Sequence, residues 1–252
     1  MTAGMKPEFF WDELAEEYDP QSRLRRLWTK PSVWKWLFEE AIGEADIILD
    51  VGCGAGAIAL PLAERPRSIY ALDISRNMLK LAKKRADKRR LPLLERIFFI
   101  RADSHYLPFR SNTFDAVYAR FSLWPLEDPR KAVEEMVRVT KVGGRVAIVE
   151  VDRVETNHPK PSLKARILYK IYKLFVRTFT SRKNTSHVWK QLKETTRRKF
   201  LVNLENVSSW LLACNCAVVK VDREIKSKTS TLLGKVIDEY HDYFLLVGKK
   251  VQ

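Results

Sequence analysis

Three of the nine glycines in this 252-residue chain fall within five positions, at the end of an apolar run: Ile48-Leu49-Asp50-Val51-Gly52-Cys53-Gly54-Ala55-Gly56. A strand that runs straight into glycines and then a helix leaves its backbone open to a ligand, because no Cβ blocks the approach. The spacing also meets the dinucleotide pattern G-x-G-x-x-A through Gly52, Gly54 and Ala57. Taken alone, it equally describes a tight strand-to-helix turn with no ligand.

The surrounding sequence extends the unit into an α/β fold. Strand-like apolar runs occur at 46–51, 68–74, 96–101, 114–119 and 144–151, with helical stretches at 55–64, 75–90 and 128–141 between them. Such alternation predicts a mostly parallel sheet covered by helices on both faces, a three-layer Rossmann-like arrangement. The helix from Ser75 carries Met78, Leu79, Ala82 and Ala86 on one stripe and Lys80, Lys83, Lys84 and Lys88 outside it. Pro61 falls inside the 55–64 stretch, where an interior proline costs about 3 kcal/mol, so that helix is kinked or its start is displaced. No linker separates a second domain. We read residues 1–45 as an aromatic-rich helical cap, 46–157 as the core and 158–199 as a basic helical insertion. Residues 200–252 complete the sheet with a helix (204–213) and strands at 217–225 and 243–248.

Carboxylates follow three of these strands. Asp50 closes the first, Asp73 lies 23 residues later at the end of the second, and Asp103 follows the third. Parallel α/β sheets bind ligands at the carboxyl ends of their strands, and a carboxylate after the second can accept both hydroxyls of a ribose. Each also has a structural use: Asp50 could satisfy loop amides, Asp73 could cap the next helix, and Asp103 could close a turn.

With these residues in hand, the chain resembles the class I S-adenosylmethionine-dependent methyltransferases, in particular the type 11 group that includes the quinone-biosynthesis C-methyltransferases. The segments carrying the resemblance are LDVGCGAG (49–56), ALDIS (71–75), RADSHYLPF (101–109), FDAVYARFSLWPLEDP (114–129) and RVTKVGGRVAIVE (138–150). The resemblance implies S-adenosylmethionine as cofactor and a sheet with one antiparallel strand near its C-terminus. It implies that Asp50, Gly52, Cys53, Gly54 and Gly56 hold the methionine part, and that Asp73 takes the ribose. Ile74 and Met78 then pack on the adenine, Asp103 and the Ser104 backbone meet its amine, and Arg120 brings backbone to the cofactor. Tyr18 closes the pocket from the N-terminal side or serves as a core aromatic. One departure is Lys141-Val142-Gly143-Gly144, where the family usually has proline before the glycines.

Composition bears on partners. The net charge is +15, and residues 158–199 hold 13 basic residues against one acidic, a local +12. Within 162–179, Arg166, Lys170, Lys173 and Arg177 recur at helical steps beside a wide apolar face that includes Leu163, Ile167, Ile171, Leu174 and Phe175. Such a helix caps a greasy acceptor, lies on an anionic membrane, or is solvated surface. Three functions are therefore weighed: a methyltransferase for a small or lipid-like acceptor, an RNA methyltransferase that tracks phosphates with Lys190, Lys193, Arg197, Arg198 and Lys199, and a cofactor-binding module without transfer. Against RNA, no Asn/Asp-Pro-Pro-Tyr/Phe motif follows the fourth strand; Ala119-Arg120-Phe121-Ser122 stands there.

Methyl transfer needs positioning more than acid–base work, so no catalytic residue is assigned among His105, His158, His187, Tyr118 and Glu150. Three cysteines without paired spacing give no disulfide framework and no zinc motif. An acidic N-terminal stretch and the lack of an apolar run near the ~18 residues of a membrane span read as a soluble, cytoplasmic protein. Three Gln beside abundant Lys, Arg and Glu resemble heat-adapted compositions.

Overall fold

The computed structural model describes residues 7–15, 29–88, 94–152, 162–163, 166–168, 170–171, 185–196, 201–237 and 242–252. Seven strands form one sheet: β1 (Ile47–Val51), β2 (Ser68–Asp73), β3 (Ile97–Arg101), β4 (Phe114–Arg120), β5 (Thr140–Val151), β6 (Cys216–Asp222) and β7 (Tyr243–Lys250). Their order across the sheet is β3-β2-β1-β4-β5-β7-β6. β1 to β5 pair in parallel, and β7 runs antiparallel to both β5 and β6. The order reverses between β1 and β4. That switch point lies at the carboxyl ends of the strands, directly at the glycine cluster, the edge where such sheets bind ligands.

Period-two alternation divides the strands between two cores. Ile48, Ala116, Tyr118, Val149 and Leu245 face Leu37 and Phe38 of α2 (Pro31–Ile42) and the single turn α3 (Ala59–Leu62). Leu49, Val117, Val146 and Phe244 face Met136 and Val137 of α5 (Pro129–Val139) and Leu211 of α7 (Leu204–Ala213). Caps fix these helices: Asp128 accepts the Lys131 N–H at 3.0 Å, with Pro129 in the first turn, and Asn203 accepts the Asn206 N–H at 2.8 Å. Between β2 and β3 runs α4 (Arg76–Lys88), which starts when Ser75 Oγ accepts the Met78 N–H at 3.1 Å. Over the carboxyl edge, α1 (Pro7–Leu14) meets α6 (Ser186–Thr196) through Phe10, Leu14, Val188 and Leu192.

Three boundaries differ from the sequence reading. The helix expected over 55–64 is only Ala59–Leu62, because three left-handed glycines hold residues 52–56 in turns. Pro61 thereby becomes the third helical residue, where its missing N–H has no intrahelical partner to lose. The fifth strand starts at Thr140 rather than 144, taking the Gly143-Gly144 turn in as an irregularity against β4 between Phe114 and Ala116. The sixth strand stops at Asp222, and Ile225 instead opens a short helix, α8 (Ile225–Thr229), followed by α9 (Leu232–Ile237). Of the expected insertion, α6 and the described residues of 163–171 are helical. Lys173, Arg177, Arg197, Arg198, Lys199, His158 and Tyr18 lie outside the described residues.

Candidate functional site

The glycine loop is held by the end of β2. Gly52, Gly54 and Gly56 have φ of 71°, 53° and 70°, the left-handed region that favours glycine. The Gly52 and Cys53 N–H groups donate to the Leu72 carbonyl at 2.8 and 2.9 Å. The Gly54 N–H donates to Asp73 Oδ2 at 2.8 Å, and the Ser75 N–H donates to Asp73 Oδ1 at 2.8 Å. Asp73 thus ties the loop to the start of α4. A Cβ on Gly52 would stand 2.4 Å from the Ser122 Cβ, whereas one on Gly54 would meet nothing nearer than Met78 Sδ at 3.9 Å. Gly52 is needed for packing; Gly54 leaves room above the loop.

Two carboxyls beneath that loop are buried. Burial raises Asp50 from 3.8 to about 7, against pulls downward from the Tyr118 hydroxyl, the Arg120 charge and the Ala59 amide. The Tyr118 hydroxyl stands close enough to influence Asp50, yet this buried oxygen completes no hydrogen bond of good geometry among the described residues. Asp73 is raised to about 6, again by burial, with the Ser75 and Gly54 amides opposing. Cys53 is buried beside both carboxyls, and its thiol is pushed well up by that burial.

Asp103 binds locally. Its Oδ1 accepts the His105 N–H at 2.9 Å and pairs with His105 Nδ1 at 2.6 Å. The His105 contact holds Asp103 below its usual value, and Asp103 in turn raises His105. The Asp128 N–H reaches His105 Nε2 at 3.3 Å, a pattern that assigns the ring proton to Nδ1. Gly54, Ile74, Asp103, Ser104 and Arg120 are all half-buried and form the accessible rim, while Asp50, Cys53, Asp73 and Met78 lie beneath it. Tyr18, expected to close the site, lies outside the described residues.

Closure from the N-terminal side comes from α1. Asp12 Oδ1 accepts the Ser75 hydroxyl at 2.6 Å and the Asn77 N–H at 2.9 Å. Trp11 and Ala15 pack over Ala55 and Met78. Trp11 also meets Trp124 and Trp189 edge-on, with centroids 6.1 and 6.5 Å apart, which joins α1 to the β4–α5 loop and to α6.

The β4–α5 loop supplies the opposite wall. Glu150, fully buried at the end of β5, accepts the Leu123 N–H at 2.6 Å and the Trp124 N–H at 3.3 Å. Ser122 Oγ donates to the Val51 carbonyl at 2.9 Å. Phe121 takes a φ of 55°, uncommon outside glycine, and its ring lies 5.8 Å from Trp34 and 5.0 Å from Tyr243. The Arg120 guanidinium sits over Trp34 at 5.0 Å and over Phe121 at 5.3 Å.

The residues therefore fit a cofactor with a cationic and a ribose-bearing part. A glycine at position 54 whose Cβ space is open, two buried carboxyls and the buried Tyr118 hydroxyl are grouped at one switch point. Asp12, Trp11, Trp34, Glu150 and Tyr243 are the site residues that motif reading did not assign to ligand contacts. Asp12 and Trp34 come from helices with no motif of their own, and Tyr243 comes from the last strand, some 190 residues beyond the glycine loop. Glu150 alone had a visible signal, a carboxylate ending an otherwise apolar strand.

Residues 49–148 match a protein family described as a methyltransferase domain. The chain is 36% identical over 142 residues to the demethylmenaquinone methyltransferase of Renibacterium salmoninarum, which covers 56% of each chain. To the Lactiplantibacillus plantarum enzyme of the same name it is 30% identical over 191 residues, 74% of this chain and 78% of that one. The matched part thus spans little more than half the length of the first of these relatives. Among solved structures, a S-adenosylmethionine-dependent methyltransferase from Aquifex aeolicus superposes with a TM-score of 0.57 at 21% identity, covering 93% of this chain and 95% of that one. At that identity the likeness establishes the fold.

Proposed function

The chain belongs to the class I S-adenosylmethionine-dependent methyltransferases, type 11 group, and we propose accordingly that it methylates a small, lipid-like acceptor of the quinone type. The observation that carries the cofactor half is the left-handed Gly52–Gly56 loop locked to Asp73 at the switch point. Bound there, S-adenosylmethionine supplies a methyl carbon activated by a sulfonium. Gly52, Cys53, Gly54 and Gly56, with Asp50 beneath them, hold the methionine part. Each Asp73 oxygen already accepts one backbone N–H and keeps lone-pair capacity for a ribose hydroxyl. Ile74 and Met78 offer an apolar seat for adenine, with Asp103 and Ser104 at its amine edge and Arg120 at the rim. Tyr18 belongs to the same proposed set.

The acceptor half rests on the aromatic wall. Phe121 and Tyr243, half-buried with ring centroids 5.0 Å apart, and the Arg120 guanidinium over Phe121 and the buried Trp34 suit a flat, partly polar ring. The curated relatives, named for demethylmenaquinone, point to the same class of acceptor. The chain's contribution is to align that ring with the methyl and exclude water, which α1 and the β4–α5 loop do from two sides.

Thermal unfolding with S-adenosylhomocysteine, S-adenosylmethionine and NAD tests the cofactor. An upward shift with the first two is expected, because each binds the native state. No shift with either, beside a shift with NAD, overturns the reading. Asp73→Ala should weaken S-adenosylhomocysteine binding by roughly tenfold or more, the loss of a buried charged hydrogen-bond acceptor. For the acceptor, transfer of labelled methyl into a solvent-extractable short-chain quinone is the expected result. Label appearing instead in bulk tRNA would replace the quinone reading with the RNA one.

A further inference from the structure

We infer that the helical residues 163, 166–168 and 170–171 belong to an interfacial element that docks the protein on an anionic lipid surface. Leu163, Ile167 and Ile171 are 70%, 49% and 57% exposed. Steps of four place them within roughly a quarter of the helix circumference, so they form one continuous aliphatic stripe that faces solvent. Arg166 and Lys170, both exposed, follow the stripe along one border. Leu168, on the other side, is half-buried. A helix that turns apolar side chains outward, bordered by cations, is the pattern of one lying in a membrane interface.

Charge selects the occupant. The stripe sits in a stretch carrying a local +12, which favours an anionic headgroup layer. Two copies of the chain meeting stripe to stripe would bring like borders together and repel. Single-stranded nucleic acid wants aromatic platforms for its bases, and Leu163, Ile167 and Ile171 offer only aliphatic tips. Arg166 and Lys170 follow one turn apart in this stretch, and charges at that density belong at the headgroup level of a bilayer rather than in its hydrocarbon core. Among the described residues, no helix is long and apolar enough to cross a membrane.

The placement suits the site. The chain leaves the sheet at the carboxyl end of β5 and returns as α6, which packs against α1 on that same edge. The inference concerns a surface and stands whether or not the acceptor is a quinone.

The full-length protein is tested by flotation with phosphatidylcholine vesicles, with and without phosphatidylglycerol, at low and high salt. Partitioning onto the anionic vesicles, weakened by salt, is expected. The triple variant Leu163→Ser, Ile167→Ser, Ile171→Ser should lose about tenfold or more of that partitioning on either vesicle type. Arg166→Gln with Lys170→Gln should lose about tenfold on anionic vesicles at low salt and little on neutral ones. Both variants alter exposed positions and should keep the thermal shift with S-adenosylhomocysteine, which shows that they fold. Vesicle binding unchanged in the triple variant overturns the inference. So does a protein that ignores vesicles but binds bulk tRNA with steep salt dependence. A missing ligand shift beside intact vesicle binding would sink the cofactor reading and leave this one standing.

Discussion

Two helical segments of this chain share one pattern of apolar residues and cations, and the fold uses them in opposite ways. In α4, Met78, Ala82 and Ala86 are buried against the sheet and α1, while Lys80, Lys83, Lys84 and Lys88 point to solvent. In the 163–171 segment it is the aliphatic stripe that faces out. A lysine-rich amphipathic helix is an ordinary solvated surface in the first case, with its apolar face spent on the core. In the second that face stays exposed. Periodicity shows that a helix has two faces; it does not show which one the protein covers.

The difference is easiest to break by placing one charge on each apolar face. Ala82→Asp buries an uncompensated carboxylate in α4 and should destabilise the fold by roughly 3 kcal/mol or more. Ile167→Asp should change stability by no more than about 0.5 kcal/mol, since its site is already wet. Denaturant melts of the two variants decide this, and equal losses would mean that the 163–171 stripe is core after all.

Next in size is the pH response of the site that α4 helps to close. Asp50 and Asp73 are raised to about 7 and about 6 from 3.8. Between pH 4 and 7 the native chain therefore keeps protons that the unfolded chain has released, and their contribution to stability falls as pH rises. Each tenfold gain in proton affinity on folding is worth about 1.4 kcal/mol for the carboxyl concerned. Other carboxylates, Asp103 and Glu135 among them, are shifted down and act in the opposite sense. The diagnostic quantity is therefore wild type minus Asp50→Asn, followed from pH 4 to 8. A flat difference would mean that Asp50 titrates normally. The added positive charge of S-adenosylmethionine favours both ionised carboxylates, so its thermal shift should grow from pH 6 to 8.

A smaller contrast separates two glycines of one loop. Gly52→Ala meets Ser122 and should cost about 2 kcal/mol or more. Gly54→Ala meets only left-handed strain of about 1 kcal/mol, while filling the space above the loop and weakening S-adenosylhomocysteine binding. Melts with and without ligand read both effects. Smallest is Tyr118→Phe, which removes a buried hydroxyl that completes no hydrogen bond of good geometry among the described residues and should leave stability unchanged or slightly raised. A clear loss would show that this hydroxyl does bond Asp50.

Much of the fold could be read along the chain because its determinants are local. Apolar runs, helix stripes and glycine spacing located β1 to β5 and the carboxylates at their ends. What local pattern misjudged were the places where neighbours intervene. Pro61 suits a helix only once the glycine loop has delayed its start, and Gly143 becomes part of β5 because β4 accommodates an irregularity. That Asp50, Asp73, Asp103 and the glycines stand together at the carboxyl edge of the sheet was legible because a motif carries them. That Asp12 latches α1 onto Ser75, and that Phe121 meets Trp34, Arg120 and Tyr243, was not legible, since these residues come from distant segments.

Local sequence was enough for the sheet's alternation, the glycine loop and the placement of most of the basic excess in 158–199. All of these depend on neighbours a few residues apart, where backbone sterics and side-chain period prevail. Tertiary packing alone set which carboxyls are desolvated enough to hold protons near neutrality, which aromatic rings share a wall, and which apolar stripe stays uncovered. Burial depends on everything that packs against a residue, and that company is assembled from the whole chain.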